Sequence, residues 1–392
     1  MNSNLANQLL ANIMKWDATT LASERAALEF MGNMKYDAYD RYMPGMRFMS
    51  SLVQWLNDIE EGDRDEAYKF IKDKLVFISS TQMNYLVDLL YDSKIRPILL
   101  DMATVETGMP SYKRSSKVVR SRFEIEKRSA LVIGLSDGAH TDILRRSAGF
   151  NNEQVLTNYY PAGEKLKDML EELRKDDKLK GIEKPYFRRI FLIDDFTASG
   201  KSFIRYDESD GKYHGKLKKI IDELCTKGAV GKEQKIEHLS YLLDPNQDKI
   251  QIDILFCIAT EKARTNIKNV FDDYLRSVNW QGKVEFNIHI VQLLEDKLSN
   301  DIKNDKDLVE VLKKDEHFVE ECVISKSYKV GKNDNPWLGF DECALPVVLA
   351  HNTPNNSLPI IWQDAERFHG LFPRISRRSF QPLMLCANLA KK

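Results

Sequence analysis

The sequence has no long hydrophobic run, no charge bias and no paired cysteine spacing, and each absence removes a class of protein. No stretch approaches the roughly 20 apolar residues needed to span a bilayer. The first 30 residues are interrupted by Asn2, Asn4, Lys15, Asp17, Glu24 and Arg25, so neither membrane insertion nor secretion is expected. The 58 Lys and Arg residues are matched by 59 Asp and Glu. Bulk charge therefore cannot hold the chain on nucleic acid or an acidic membrane, and a nucleic-acid contact would need a local basic patch or a partner. The five cysteines, Cys225, Cys257, Cys322, Cys343 and Cys386, are odd in number and nowhere spaced C-x-x-C. They indicate neither a disulfide framework nor a zinc ribbon, and the expected compartment is a reducing cytoplasm.

What is present suffices for a sizeable core: 392 residues, 43% of them hydrophobic, enough for two ordinary domains. Ten of the twelve methionines fall between Met1 and Met109, in a stretch with helical periodicity. Long β-branched runs begin only after Ser129. This contrast predicts a helical N-terminal domain over 1–114 and an α/β domain over 115–392, joined through a polar, basic, linker-like segment from Gly108 to Lys127. Within the first part, Leu52–Ile59 and Ala67–Leu75 read as amphipathic helices, and Ser79-Ser80-Thr81 offers an N-cap for a third from Gln82 to Tyr91. A helix-turn-helix or winged-helix reading is open. The would-be recognition helix carries Asp88 and Asp92 and no cation before Lys94, which favours an interaction module, docking a protein partner or a second copy, over a DNA reader.

The second part alternates strand and helix. Ala130–Leu135, Arg189–Ile193, Gln251–Ala259, Val284–Leu294 and Ala344–Ala350 read as strands. His140–Ser147, Leu217–Cys225 and Glu261–Val278 read as helices. The pattern predicts an α/β fold with a doubly wound, mainly parallel sheet, whose ligands sit at the carboxyl ends of the strands.

The most informative stretch is RRIFLIDDFTASGKSF, Arg188 to Phe203: a buried strand, two acids, a small-residue loop and the expected start of a helix. The loop Thr197-Ala198-Ser199-Gly200-Lys201-Ser202 can turn N–H groups and hydroxyls around a phosphate, with Gly200 permitting close approach. Asp194 and Asp195 then stand a sugar's length away, placed to accept hydrogen bonds from ribose hydroxyls. A 5-phosphoribosyl group fits that combination. Two other readings stand beside it. Asp195 to Ser202 misses the P-loop G-x-x-x-x-G-K-S only at its first glycine, and a structural strand-turn-helix with an aspartate cap needs no ligand at all.

Here the sequence resembles the type I phosphoribosyltransferases, whose signature is four apolar residues, two acids, three intervening residues, Ser or Thr, Gly, any residue, and Ser or Thr. Ile190-Phe-Leu-Ile193, Asp194, Asp195, Ser199, Gly200 and Ser202 meet that spacing. Two positions depart from it: Phe196 and Thr197 replace aliphatic residues, and Ala198 stands where purine-salvage members carry a base-contacting aspartate. The resemblance also implies a pyrophosphate loop after an earlier strand. Its match is LVIGLSDGAH, Leu131 to His140, where Gly134, Ser136 and Gly138 fold the backbone around a pyrophosphate and Asp137 meets Mg²⁺. On this resemblance Asp137, Asp194 and Asp195 are the catalytic acids, Asp137 and Asp194 the Mg²⁺ ligands, and phosphoribosyl pyrophosphate or a nucleotide the ligand. It covers roughly Ser129 to Trp362 and is closest to the phosphoribosyltransferase-like proteins of bacterial conflict and anti-phage loci, some with a winged-helix-like N-terminal region. A base or nucleotide transferase, a nucleotide-depleting or nucleotide-modifying effector, and a non-catalytic sensor are all compatible with it.

Several weaker features complete the reading. The stretch from Val348 to Trp362, with His351, resembles the family's late base-holding segment, and its Asn and Pro content also suits an ordinary turn. His289 reads as a packed or partner-facing histidine. Arg374, Arg377 and Arg378 form a basic cluster, either a solvated face or an anion, nucleic-acid or protein contact. Glu164 to Lys180 reads as a solvated helix, in a region where the family often carries a mobile hood.

Overall fold

The computed structural model describes residues 3–158, 161–225, 238–314, 334–364 and 368–374. In chain order the helices are α1 Ser3–Met14, α2 Ala18–Met34, α3 Phe48–Asp58, α4 Arg64–Lys74, α5 Ser80–Leu90, α6 Arg96–Glu106, α7 Lys117–Arg128, α8 Thr141–Ala148, α9 Gly163–Lys175, α10 Lys216–Cys225, α11 Glu261–Ser277, α12 Asp296–Lys303, α13 Lys306–Leu312 and α14 Pro359–Trp362. The strands are β1 Val76–Ile78, β2 Ala130–Gly134, β3 Val155–Leu156, β4 Arg189–Thr197, β5 Arg205–Asp207, β6 Lys212–His214, β7 Ile250–Thr260, β8 Val284–Leu294 and β9 Val347–Leu349. Among the described residues no helix is long and apolar enough to cross a membrane.

The chain forms two compact units, and their limits differ from the expected boundary at 114/115. One unit is Thr81–Asp296; the other joins Met1–Ser80 to Lys297–Lys392. The reason is packing that sequence distance hides. Glu106 of α6 and Glu126 of α7 both pair with Arg188 at the foot of β4, at 2.8 and 2.9 Å, so α5 to α7 belong with the sheet. The supposed linker is in its second half the helix α7, capped by the Ser116 hydroxyl. The helical trio behind the winged-helix reading is divided, with α3 and α4 in one unit and α5 in the other.

The Thr81–Asp296 unit holds the expected doubly wound sheet. Five parallel strands run in the order β3-β2-β4-β7-β8. In chain order this is the 2-1-3-4-5 arrangement, which reverses direction between β2 and β4 and leaves a crevice at their carboxyl ends. Leu131, Ile133, Ile190, Leu192, Ile252, Ile254 and Phe256 cover one sheet face, against Leu170 of α9, Ile220 of α10 and Phe271 of α11. α9 is thus a cover helix with Leu166, Met169, Leu170 and Leu173 buried, rather than a solvated one. The other face, including Val132, Phe191, Ile193 and Leu255, is equally buried, and the π-helical turn Tyr91–Ile95 contacts β8.

In the second unit, α1 to α4 share a core with the chain's late part. Phe48, Trp55, Phe70 and Phe77 pack with Leu308, Ile360, Phe368 and Phe372. β9 does not join the large sheet, as expected of Ala344–Ala350; it pairs in parallel with β1, Val76 opposite Val347. Trp55 Nε1 donates to the Ile360 carbonyl at 2.7 Å.

A fragment of residues 81–296 should therefore be soluble and melt cooperatively, while 115–392 should not. The latter cut removes buried Val87, Leu90, Ile95, Leu99 and Ala103 and leaves β9 without β1, a loss of about 1.5–3 kcal/mol per large side chain. Solubility and thermal melts of the two fragments check this.

Candidate functional site

Both loops picked out in the sequence leave the sheet at the crevice between β2 and β4, where Gly134 lies opposite Ile193. β4 is longer than expected and runs through both acids to Thr197. The two motifs meet directly: the Ser136 hydroxyl donates to Asp194 Oδ1, which also accepts the Asp195 N–H at 3.1 Å. The other oxygen, Oδ2, takes the Lys216 ammonium at 2.8 Å. Asp195 Oδ1 accepts the Phe196 N–H at 2.8 Å. Of the remaining predicted residues, Gly134 is close-packed: a Cβ there would lie 2.8 Å from Thr141 and 3.1 Å from the Thr157 carbonyl. Asp137 is exposed and Gly138 half-buried.

The loop after β4 is shaped by two anchors that the sequence did not reveal. Thr260, the N-cap of α11, accepts the Ala263 N–H at 3.0 Å and donates its hydroxyl to the Ala198 carbonyl at 2.6 Å. Asn266 Nδ2 donates to the Ser199 carbonyl at 2.9 Å. A trans peptide carries its C=O and N–H on opposite sides, so these anchors aim the Ser199 and Gly200 N–H groups away from α11. Gly200 is left-handed, φ +74°, and a Cβ on it would meet Ile267 at 2.8 Å and the Ala263 carbonyl at 3.0 Å. Thr197, Ala198 and Ser199 are buried, Lys201 is half-buried and Ser202 exposed.

The expected helix does not open at Lys201-Ser202. The loop closes with the Phe203 N–H on the Gly200 carbonyl at 2.9 Å, and an antiparallel hairpin of β5 and β6 follows before α10 begins. A P-loop needs its Gly-Lys-Ser to start a helix whose N-terminus faces the phosphates, so that reading is overturned.

Asp194 is 2% exposed, and burial is what pushes its pKa up, to about 6. The Lys216 ammonium pulls against that rise and the Asp195 charge adds to it. Burial and the same two acids push the Cys257 thiol well above its usual range, so no thiolate nucleophile stands behind the site. The Mg²⁺ expectation divides between its two residues. Asp137 presents an exposed carboxylate, whereas Asp194 has Ser136 and Asp195 on one oxygen and an ammonium on the other, and does not fit as a cation ligand.

His140, at the end of the pyrophosphate-loop match, holds a left-handed φ of +48°, and one of its ring nitrogens lies within 4.8 Å of an Asp195 carboxylate oxygen. Lys216 and His140 were missed as site residues. His140 stood in the quoted motif, but Lys216 follows a hairpin with no sequence mark linking it to Asp194. The structure does not gather every candidate here. His289 bonds Asp253 at 2.8 Å in the sheet. Arg374, in the other unit, stacks over Trp362 at 5.8 Å. Arg377, Arg378, Cys322 and Cys386 lie outside the described residues.

The 2-1-3-4-5 sheet makes this a doubly wound α/β protein, and its two loops and two acids stand at the switch point where that class of fold holds its ligands. The model of the PRTase-CE family matches residues 52–374, most of the chain, and the chain belongs to that phosphoribosyltransferase-like family. No curated protein and no solved structure matches the chain.

Two outcomes test this geometry. Thr260→Val keeps the shape and removes both cap and loop anchor, and should cost about 1–2 kcal/mol in denaturant unfolding. For Asp194 the sign follows from its raised pKa. The protonated form suits the fold, so its contribution is present below the unfolded value near 4 and is lost as pH rises through about 6. Asp194→Asn should therefore gain in Tm over wild type between about pH 4 and pH 7, measured by parallel thermal melts; a constant difference would contradict it.

Proposed function

We infer that this protein is an enzyme that binds a phosphorylated ribose, as phosphoribosyl pyrophosphate or a nucleotide, in the crevice between β2 and β4 and acts at C1 of the sugar. The observation that carries the reading is the direct bond from Ser136 to Asp194, which joins the two motifs at the strand switch point. In this reading the Ser199 and Gly200 amides face the 5-phosphate and Thr197, Lys201 and Ser202 frame it. Gly134, Ser136 and Gly138 shape the pyrophosphate side, and Asp195 meets the ribose hydroxyls. The exposed Asp137, not the buried Asp194, would meet a cation carried by the pyrophosphate.

The C1–oxygen bond to pyrophosphate breaks through an oxocarbenium-like state as a base, a nucleotide or water forms the new bond at C1, and pyrophosphate leaves with the bonding electron pair. The protein supplies positioning and stabilisation of the leaving anion, and needs no nucleophile of its own. Ala198 is buried and its carbonyl is bound by Thr260, so no acid–base group occupies the position used by purine-salvage enzymes. The resemblance to conflict-locus proteins supports use as an anti-phage effector that depletes or modifies nucleotides.

Calorimetry with phosphoribosyl pyrophosphate on wild type and Asp195→Asn tests the binding. Loss of one charge-assisted hydrogen bond should weaken the variant at least about tenfold, and equal affinity, or none in either, sinks the assignment. Asp137→Ala should abolish pyrophosphate release while leaving nucleoside monophosphate binding nearly intact. Binding by wild type with no turnover on any acceptor or water would make the protein a sensor.

A further inference from the structure

The feature of the crevice that the phosphoribosyl reading does not account for is the ammonium on its first acid. Lys216 Nζ is 2.8 Å from Asp194 Oδ2 and 4.6 Å over the ring of Phe203, which is itself buried. Its side chain is 25% exposed, so this is not a surface lysine that happens to reach inward. The backbone puts it there. Gly215 returns the chain from the hairpin at φ +129°, so close to the loop that a Cβ would lie 2.2 Å from the Phe203 carbonyl oxygen. Only glycine makes that approach, and α10 consequently opens with Lys216 beside the acids.

A carboxylate accepts about four hydrogen bonds in all. Asp194 already takes Ser136, the Asp195 N–H and Lys216. A divalent cation on Oδ2 would have to displace the ammonium or sit against it, where like charges in a buried site repel strongly. Two adjacent acids facing a phosphate also need a counter-charge, and one is already in place. We propose that Lys216 takes the position of a divalent cation at Asp194, as a positioning residue that holds the acid and offsets its charge, so that a ribose phosphate binds this crevice without Mg²⁺. The inference rests on the phosphoribosyl reading and adds to it how the site is neutralised. Mg²⁺ would then matter only to ligands that bring a pyrophosphate.

The test uses the full chain and ribose 5-phosphate, which carries no pyrophosphate, by calorimetry in EDTA and in excess Mg²⁺. Wild type should bind in both, with affinities within about threefold. Lys216→Met should lose about tenfold or more in EDTA and recover most of it in Mg²⁺, as the cation fills the vacated place; Lys216→Arg should stay near wild type in EDTA. Lys216→Gln serves if the Met variant does not fold. Binding by wild type only in Mg²⁺, or equal affinity of wild type and Lys216→Met in EDTA, overturns the inference while leaving the phosphoribosyl reading standing. No binding by wild type in either buffer removes that reading, and this inference with it.

Discussion

The carboxylate of Asp194 is the constraint around which the site is built. An ionised group withdrawn from water costs several kcal/mol unless it is paired and hydrogen-bonded. Three donors from separate segments supply that compensation: a hydroxyl from the loop after β2, the next backbone amide on β4, and an ammonium from the first turn of α10. Each segment is where it is because of a different local rule. Gly134 lets the first loop pass under Thr141, strand pairing holds β4 straight through both acids, and Gly215 brings α10 back against Phe203. Ser136 and Lys216 lie on either side of Asp194 in the chain, so the carboxylate ties the two halves of the sheet unit together at its switch point.

The loop after β4 depends on a neighbour as well. A short Ala-Ser-Gly turn has no intrinsic reason to aim its amides in one direction. Thr260, the N-cap of α11, and Asn266, within that helix, hold the Ala198 and Ser199 carbonyls and so set which way the N–H groups point. One hydroxyl both caps α11 and holds the loop, which couples helix stability to loop geometry. The hairpin between loop and helix is the chain's departure from a plain strand-loop-helix, and it is what places a lysine beside the acids.

The division of the chain follows from packing rather than from composition. Methionine-rich, helical sequence runs on past residue 80, but Glu106 of α6 and Glu126 of α7 meet Arg188 in an ion-paired cluster at the foot of β4. The earlier helices take their partners from the chain's far end, through Trp55 on the Ile360 carbonyl and β1 beside β9. The family match begins inside α3 and ends after Phe372, so it takes in parts of both units, including α4 and β1 from the first 80 residues.

Local chemistry made much of this legible in the sequence. Continuous apolar runs marked β2, β4 and β7, because burial on both faces demands them, and alternation marked the half-buried edge strand β8; β3, two residues long, left no run to read. The acids and the small-residue loop after β4 were evident because few other uses exist for that order of residue types. Lys216, Thr260 and Asn266 were not legible, since each acts on a residue a hairpin or a strand away and nothing in its own neighbourhood records the partner. The boundary at 114/115 failed for the same reason: composition is a local average, whereas a core is a set of contacts. The sequence by itself determined that this chain would be a parallel α/β protein with a small-residue loop beside two acids. Only the tertiary structure decided that an ammonium sits on one of those acids, because long-range packing and not spacing chooses which charge a buried carboxylate meets.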